Sequence, residues 1–226
     1  MTVSVLITSE FALSPQREAQ WLAGLPLARR MQITGWPDAQ TRHRSLIGSR
    51  LLALGLQRIG FPGDVLASLC YPPQSRPTLA LPVDFSLSHC EGRIVCALST
   101  QGAVGIDVEA LGSLIAGDFQ LYLSAAERSW AGRSSRRFYS VWTRKEAVAK
   151  AVSERGLRDV ARVDTALAEP IASFEGRRWH TVNVPVGRRH VAHLAMLAVP
   201  HGLRFYRIAR AVLERDAPTL RTSALR

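Results

Sequence analysis

Lys145 and Lys150 flank Glu146 in the stretch Trp142-Thr143-Arg144-Lys145-Glu146-Ala147-Val148-Ala149-Lys150, and they are the only lysines among 29 basic residues. An arginine guanidinium is a planar fork that stays charged, whereas a lysine ammonium is a compact point charge whose pKa moves with its surroundings. The stretch therefore reads as one where the chemistry needs an ammonium. Asp107 and Glu109 form a second candidate set. At i and i+2 on a strand they point to one face, about 7 Å apart. Two carboxylates on one face repel unless something cationic lies between them. Mg²⁺ suits that role: it is a hard ion that often takes only a few carboxylates plus phosphate oxygens and water. Glu146 offers a third carboxylate from the helix.

Each signal has a plainer counterpart. Glu146 and Lys150 at i, i+4 have the spacing of one ion pair on a solvated helix, worth about 0.3–0.5 kcal/mol. Asp-x-Glu is also an ordinary solvated strand face. Ser88-His89 ends a strand, where a hydroxyl and an imidazole can bind a phosphate or simply terminate a turn. Neighbouring strand residues face opposite ways, so the two make a poor nucleophile–base pair. No Gly-x-Ser-x-Gly elbow is present, which argues against a serine hydrolase. His190 and His193, at i, i+3 on a strand, point apart and carry little case for zinc. Arg44 and Arg76, each taken alone, read as surface arginines.

The elements that must position these groups follow from periodicity. Residues 134–154 lack Gly and Pro and are rich in helix formers. Val141, Val148 and Val152 share the core face, and Trp142, Glu146 and Lys150 step along a neighbouring stripe. Lys145 falls near the apolar face, so its ammonium must reach a partner or snorkel to water. Asp107 and Glu109 lie on a strand over 103–109. Before it, 85–90 and 94–98 form a hairpin, and the three strands are expected as a meander. Upstream come a strand over 2–9, helical spacing over 14–31 broken by Pro26, and a helix over 39–59 capped by Asp38 and stopped by Gly60, Pro62 and Gly63. Residues 71–82 are proline-rich loop. Downstream, Ser124 opens a capping box, and 179–184 with 190–197 make a second hairpin before a last strand at 203–208. Helix, hairpin and further strand occur twice. The fold expected is therefore α+β, with two similar halves, 1–110 and 111–214, a cleft between them, and a frayed tail at 215–226.

Composition bounds the rest. A chain of 226 residues that is 47% hydrophobic suits a globular core. A formal charge of +11 suggests an acidic or phosphorylated partner. Three cysteines without metal-type spacing argue for a reducing compartment. No basic region precedes the first apolar residues, and no apolar run approaches the ~18 residues of a membrane span. The expectation is a soluble, cytoplasmic protein without membrane contact.

Together these pieces resemble the Sfp-type 4′-phosphopantetheinyl transferases. Gly105-Ile106-Asp107-Val108-Glu109 matches the family's Gly-(Val/Ile)-Asp-(Val/Ile)-Glu motif. Trp142-Thr143-x-Lys145-Glu146-Ala147-x-x-Lys150 matches its Trp-x-x-Lys-Glu-(Ala/Ser)-x-x-Lys motif. Phe85-Ser86-Leu87-Ser88-His89 is similar to its Phe-Asn-(Ile/Leu)-Ser-His segment, with Ser86 where asparagine is usual. His43-Arg44-Ser45-Leu46-Ile47-Gly48 resembles its first basic helix, and Arg76-Pro77 its Lys-Pro or Arg-Pro step. The motifs stand in family order over residues 42–150; beyond 160 only the element pattern is similar.

The resemblance implies a pseudo-symmetric α+β monomer. Each half would pack a small, mainly antiparallel sheet against a long helix, with the active site at their junction. It implies transfer of the phosphopantetheine arm of coenzyme A to a serine of an apo acyl or peptidyl carrier protein, with release of 3′,5′-ADP. By resemblance, Asp107, Glu109 and Glu146 hold Mg²⁺ on the coenzyme A diphosphate, and Lys150 neutralises the diphosphate and assists the leaving group. Arg44, Arg76, Ser88 and His89 grip the adenosine 3′-phosphate, and Lys145 supports the diphosphate or Glu146. The base is Glu146 or a metal-bound water. The lysines that the family's first basic segment usually adds have only Arg29 and Arg30 near their place. The carrier surface falls at 111–135, and an acidic carrier suits the charge. Two rivals remain: a nucleic-acid-binding protein, against which the arginines are dispersed and no known motif appears, and an inactive carrier-binding relative, against which the carboxylates and Lys150 are intact.

Overall fold

The structure is a computed structural model that describes residues 2–61, 65–72, 76–152, 157–199 and 201–215. The chain opens with strand β1 (Val3–Ser9), then α1 (Pro15–Ala23), α2 (Leu27–Thr34) and the long α3 (Ala39–Arg58). The hairpin β2 (Asp84–Cys90) and β3 (Arg93–Ser99) follows, then β4 (Val104–Ala110). Next come α4 (Ala125–Ala131), the long α5 (Ser135–Val152) and the short α6 (Leu157–Val160). Strands β5 (Asp164–Ala166), β6 (Ile171–Phe174), β7 (Arg177–Asn183), β8 (His190–Met196) and β9 (Leu203–Arg207) precede a last turn of helix, α7 (Arg210–Leu213). Pro62, Gly63 and the tail expected to fray, from 216 on, lie outside the described residues.

Local chemistry sets the helix starts. Asp38 caps α3: its Oδ2 accepts the Thr41 amide at 2.7 Å and its Oδ1 the Gln40 amide at 3.3 Å, satisfying donors a helix start leaves bare. Ser124 and Glu127 complete the expected capping box on α4.

The strands form two sheets, in the orders β2-β3-β1-β9 and β4-β8-β7-β6-β5. Pairing is antiparallel except for β1 with β9. One long helix packs on each sheet, α3 against β3 and β2 and α5 against β4 and β8. This is the α+β arrangement of two halves that the doubled element order implied. The halves exchange strands: β4 heads the second sheet, and β9 joins the first.

The meander expected of β2, β3 and β4 is therefore corrected. β4 lies beside β2, but side chains make the join. Asp84 Oδ2 accepts the Val104 amide at 2.7 Å, Ser86 Oγ the Ile106 amide at 3.1 Å, and Ser88 Oγ the Val108 amide at 3.4 Å. The row of β4 amides that a third sheet neighbour would take is thus filled by three acceptors two residues apart on one face of β2. Its other edge pairs with β8, with Asp107 opposite His193.

Packing keeps this seam close. An apolar layer including Val5, Ile7, Val95, Ile106, Val108 and Leu194 joins the two sheets. Gly105 lets β4 touch the α5 backbone, since a side-chain carbon there would overlap the Ala147 carbonyl oxygen and fall 2.7 Å from the Ala151 nitrogen. The three cysteines are free, and among the described residues no helix is long and apolar enough to cross a membrane.

Candidate active site

The seam between β2, β4 and α5 gathers the candidate chemistry. Lys150 Nζ donates to Asp107 Oδ1 at 2.6 Å and to Ser88 Oγ at 2.9 Å. Ser88 Oγ donates in turn to Asp107 Oδ1 at 2.9 Å. Asp107 is 2% exposed, and its second oxygen, Oδ2, is buried without a hydrogen-bond partner. A third of the Lys150 side chain meets solvent. Burial works against the Lys150 charge, but Asp107 and Glu146 outweigh it, and its pKa is raised.

Glu109 and Glu146 face the same cluster. Burial, then the like charges of Asp107 and Glu146, push the Glu109 carboxyl up to about 7 against the opposing pull of Lys150. A hydrogen bond from Trp142 also favours the Glu109 anion. Trp142 is held in an aromatic cluster, 5.2 Å from the Phe119 centroid and 5.8 Å from that of Tyr122. Burial raises the Glu146 pKa as well, offset in part by Lys150.

Two features of these residues fit a small divalent cation. Asp107 Oδ2 is a buried oxygen lacking a partner. The Glu109 carboxyl is held up by burial and then by neighbouring negative charge. They do not form an all-protein cage: among the described residues no group of three or more His, Cys, Asp or Glu side chains is set out to hold a metal by itself.

Of the four residues expected to grip a 3′-phosphate, two share one side of this cluster. Burial and the nearby charges of Lys150 and Arg44 lower the pKa of His89, whose side chain still reaches solvent. Arg44 is held by Glu10, through Nε at 2.7 Å and Nη2 at 3.2 Å. Glu10 also accepts the Gly92 amide of the β2–β3 turn at 2.8 Å, so it ties the Arg44 helix to that turn. Ser88 points into the carboxylate cluster instead. Arg76 stands apart from both. Its guanidinium bonds the carbonyls of Phe85, Ala151 and Val104 and pairs with Asp84 at 3.0 Å. Phe85 precedes Ser88 by three strand residues, about 10 Å. Arg76 braces the start of β2 against the end of α5.

Lys145 has its partner in Glu127. It is 1% exposed and donates to both oxygens of Glu127, at 3.2 and 3.0 Å, and to the Val163 carbonyl. Glu127 also accepts from the amide and hydroxyl of Thr165 and from the Ser124 amide. The capping-box pattern marked Glu127 only as a helix cap; its burial against a lysine is a tertiary fact. His193, a poor candidate for zinc, sits buried with Nδ1 2.7 Å from Thr143 Oγ1. Burial, with Arg144 nearby, drives its pKa down to about 4. His190 instead meets the Glu91 carbonyl at 2.9 Å.

Residues 103–194 match the sequence model of the 4′-phosphopantetheinyl transferase superfamily, a stretch that takes in Asp107, Glu109, Lys145, Glu146 and Lys150. Phosphopantetheinyl transfer, with coenzyme A as donor, is the general reaction of that superfamily. No curated protein matches the chain.

Proposed function

We propose that this protein moves the 4′-phosphopantetheine arm of coenzyme A to a serine of an apo acyl or peptidyl carrier protein, with Mg²⁺, and releases 3′,5′-ADP. The observation that carries the reading is the Lys150–Asp107–Ser88 cluster at the β4–α5 contact, with Glu109 and Glu146 beside it. Such a group of charges is what a diphosphate and a metal ion would need on opposite sides of a reacting phosphorus.

The roles follow from position. Asp107, Glu109 and Glu146 would hold Mg²⁺, which when bound neutralises charge on the diphosphate oxygens. Glu146 would take the proton of the carrier serine hydroxyl. The serine oxygen forms the new bond to the pantetheine phosphorus as the phosphorus–oxygen bond to the adenosine side breaks. Lys150 keeps its proton and offsets charge gathering on that leaving oxygen. Arg44 and His89 receive the 3′-phosphate, Arg44 after yielding part of its hold on Glu10. Arg76 acts as a brace.

The carrier would dock on 111–135, where Leu114, Ile115 and Leu121 are exposed and Arg133, Arg136 and Arg137 lie on or beside the segment. An acidic carrier suits that surface and the +11 charge. The test is intact-mass measurement of several apo carriers incubated with the protein, coenzyme A and Mg²⁺. One added phosphopantetheine on any of them supports the reading; no gain on any, with binding of nucleic acid in its place, overturns it. The same assay without Mg²⁺ tests the metal.

A further inference from the structure

Away from that junction, a cavity of about 340 Å³ opens on the helix-facing side of the first sheet. Its floor is built by register: Ser4 is the β1 partner of Arg204 on β9, and Leu6 is the partner of Tyr206, the next pair on the same face. The last turns of α3 wall it with Gly55, Arg58 and Ile59. Gly55 allows that close approach, since a side-chain carbon there would fall 2.5 Å from Leu98 Cδ1 and 3.3 Å from Leu6 Cδ1. The Arg58 guanidinium lies over the Tyr206 ring, 4.9 Å from its centroid, which orients the guanidinium against the floor.

Charge balance gives the cavity its chemistry. Arg58 and Arg204 both line it, Thr2, Ser4 and Thr100 add hydroxyls, and no carboxylate does. Among the described residues neither arginine has a salt bridge or hydrogen bond. Elsewhere the arginines Arg42, Arg44 and Arg76 are paired with acids. Two planar forks, unneutralised, lie beside the Tyr206 ring and Ile59. That combination matches an oxyanion carried on an apolar body, because a guanidinium meets a carboxylate or phosphate with two parallel hydrogen bonds. The volume lies at the small end of ligand pockets, which run from about 300 to 1,000 Å³. The site is separate from the transfer chemistry. Ser4 pairs with Leu98 and Ser88 with Val95, so the two serines lie three residues apart along β3 and two strands apart across it, roughly 14 Å.

We propose that this cavity is a second ligand site, which binds a small carboxylate or phosphate monoester with an apolar body. Arg58 and Arg204 fork the oxyanion, and Ile59 and the Tyr206 ring take the apolar part. A bound ligand bridges β9 to α3, so it also stabilises the fold by mass action.

The test is calorimetric and thermal-shift titration of the full chain with phenylacetate, phenyl phosphate and benzyl alcohol. Saturable binding of either anion, with a raised unfolding midpoint and no response to the alcohol, is expected. Arg58→Gln with Arg204→Gln weakens that binding at least about tenfold, while Arg44→Gln at the other site leaves it unchanged. Both cavity arginines are exposed, so these variants should fold; Arg204→Glu alone is the second variant, and it also loses binding. Absence of saturable binding by both anions, equal binding of the alcohol, or wild-type affinity in either cavity variant overturns the proposal.

Discussion

Lys150 Nζ lies 2.6 Å from Asp107 Oδ1, joining the end of α5 to β4 by an ion pair whose acid is buried and whose base is one-third exposed. Removing the ammonium leaves Asp107 charged, buried and short of donors. Lys150→Ala is therefore expected to cost about 1–3 kcal/mol of stability, read from the urea midpoint. Transfer should fall about 100-fold or more, because charge on the leaving group loses its nearest cation. Coenzyme A binding should weaken too, since a diphosphate contact goes. Near wild-type transfer in this variant would remove Lys150 from the chemistry.

Glu146 is half-buried beside the pair, and Glu146→Gln keeps its shape. Stability should hold, while transfer falls by about 100- to 10,000-fold if the side chain takes the serine proton. Intact-mass rates with one apo carrier check it. A loss confined to KM for coenzyme A would instead make Glu146 a binding group.

Glu109 gives the site a pH signature. Its folded pKa of about 7 stands above the ordinary 4.5, because burial and neighbouring carboxylates disfavour the anion. The folded state then holds this proton more tightly than the unfolded chain between those two values. Its contribution to stability is fully present below about pH 4.5 and is lost as pH rises through about 7. Urea midpoints of the cation-free protein should therefore fall across that window more steeply than those of Glu109→Gln. Trp142→Phe removes a hydrogen bond that favours the anion, so it moves the Glu109 titration higher still. If Mg²⁺ takes these carboxylates, its binding releases protons near pH 6 and almost none near pH 9, which calorimetry in buffers of different ionisation heat resolves. No proton release at either pH would speak against Glu109 as a ligand.

Much of this was legible because the periods were clean. Val141, Val148 and Val152 marked the inner face of α5, and Val141 and Val148 are fully buried. Asp38 and Ser124 announced their helices. The strand pairing was not legible, for a physical reason. Asp84, Ser86 and Ser88 alternate with Phe85 and Leu87, a pattern that reads as one face in water. In the fold Ser86 and Ser88 are 6% and 7% exposed, and that polar face accepts the amides of β4. Alternation reports which residues share a face, not what covers it. Ser86, the departure from the family's asparagine, supplies one of those acceptors. Arg76 was legible as a motif residue but not as a brace, because its partners come from three distant segments.

Gly105 tests the seam itself. Gly105→Ala forces a methyl into the Ala147 carbonyl, which is backbone and cannot swing away. Overpacking costs about 1–3 kcal/mol and occasionally more, and a backbone clash belongs at the upper end. The separation it drives also parts Asp107 from Lys150. A large fall in the unfolding midpoint together with loss of transfer is expected; a stable, active Gly105→Ala protein would mean that β4 and α5 sit farther apart.

Lys145 and Glu127 are 1% and 2% exposed, and their pair fastens the start of α4 to α5 one residue before Glu146. Breaking a buried pair from one side leaves the other charge unpaired, so Lys145→Met and Glu127→Met should each cost about 3–5 kcal/mol. Replacing both with apolar residues removes the stranded charge. Lys145→Met with Glu127→Met should thus lose less than the two single changes added together, although Thr165 and Ser124 forfeit an acceptor. Urea titrations of the four proteins close the cycle. Because α4 lies within the proposed carrier surface, the double variant should raise KM for the carrier while coenzyme A affinity stays near wild type. A fall in coenzyme A affinity instead would put the Lys145 ammonium on the diphosphate, as the family resemblance allowed. Its bonds to Glu127 and to the Val163 carbonyl point the other way.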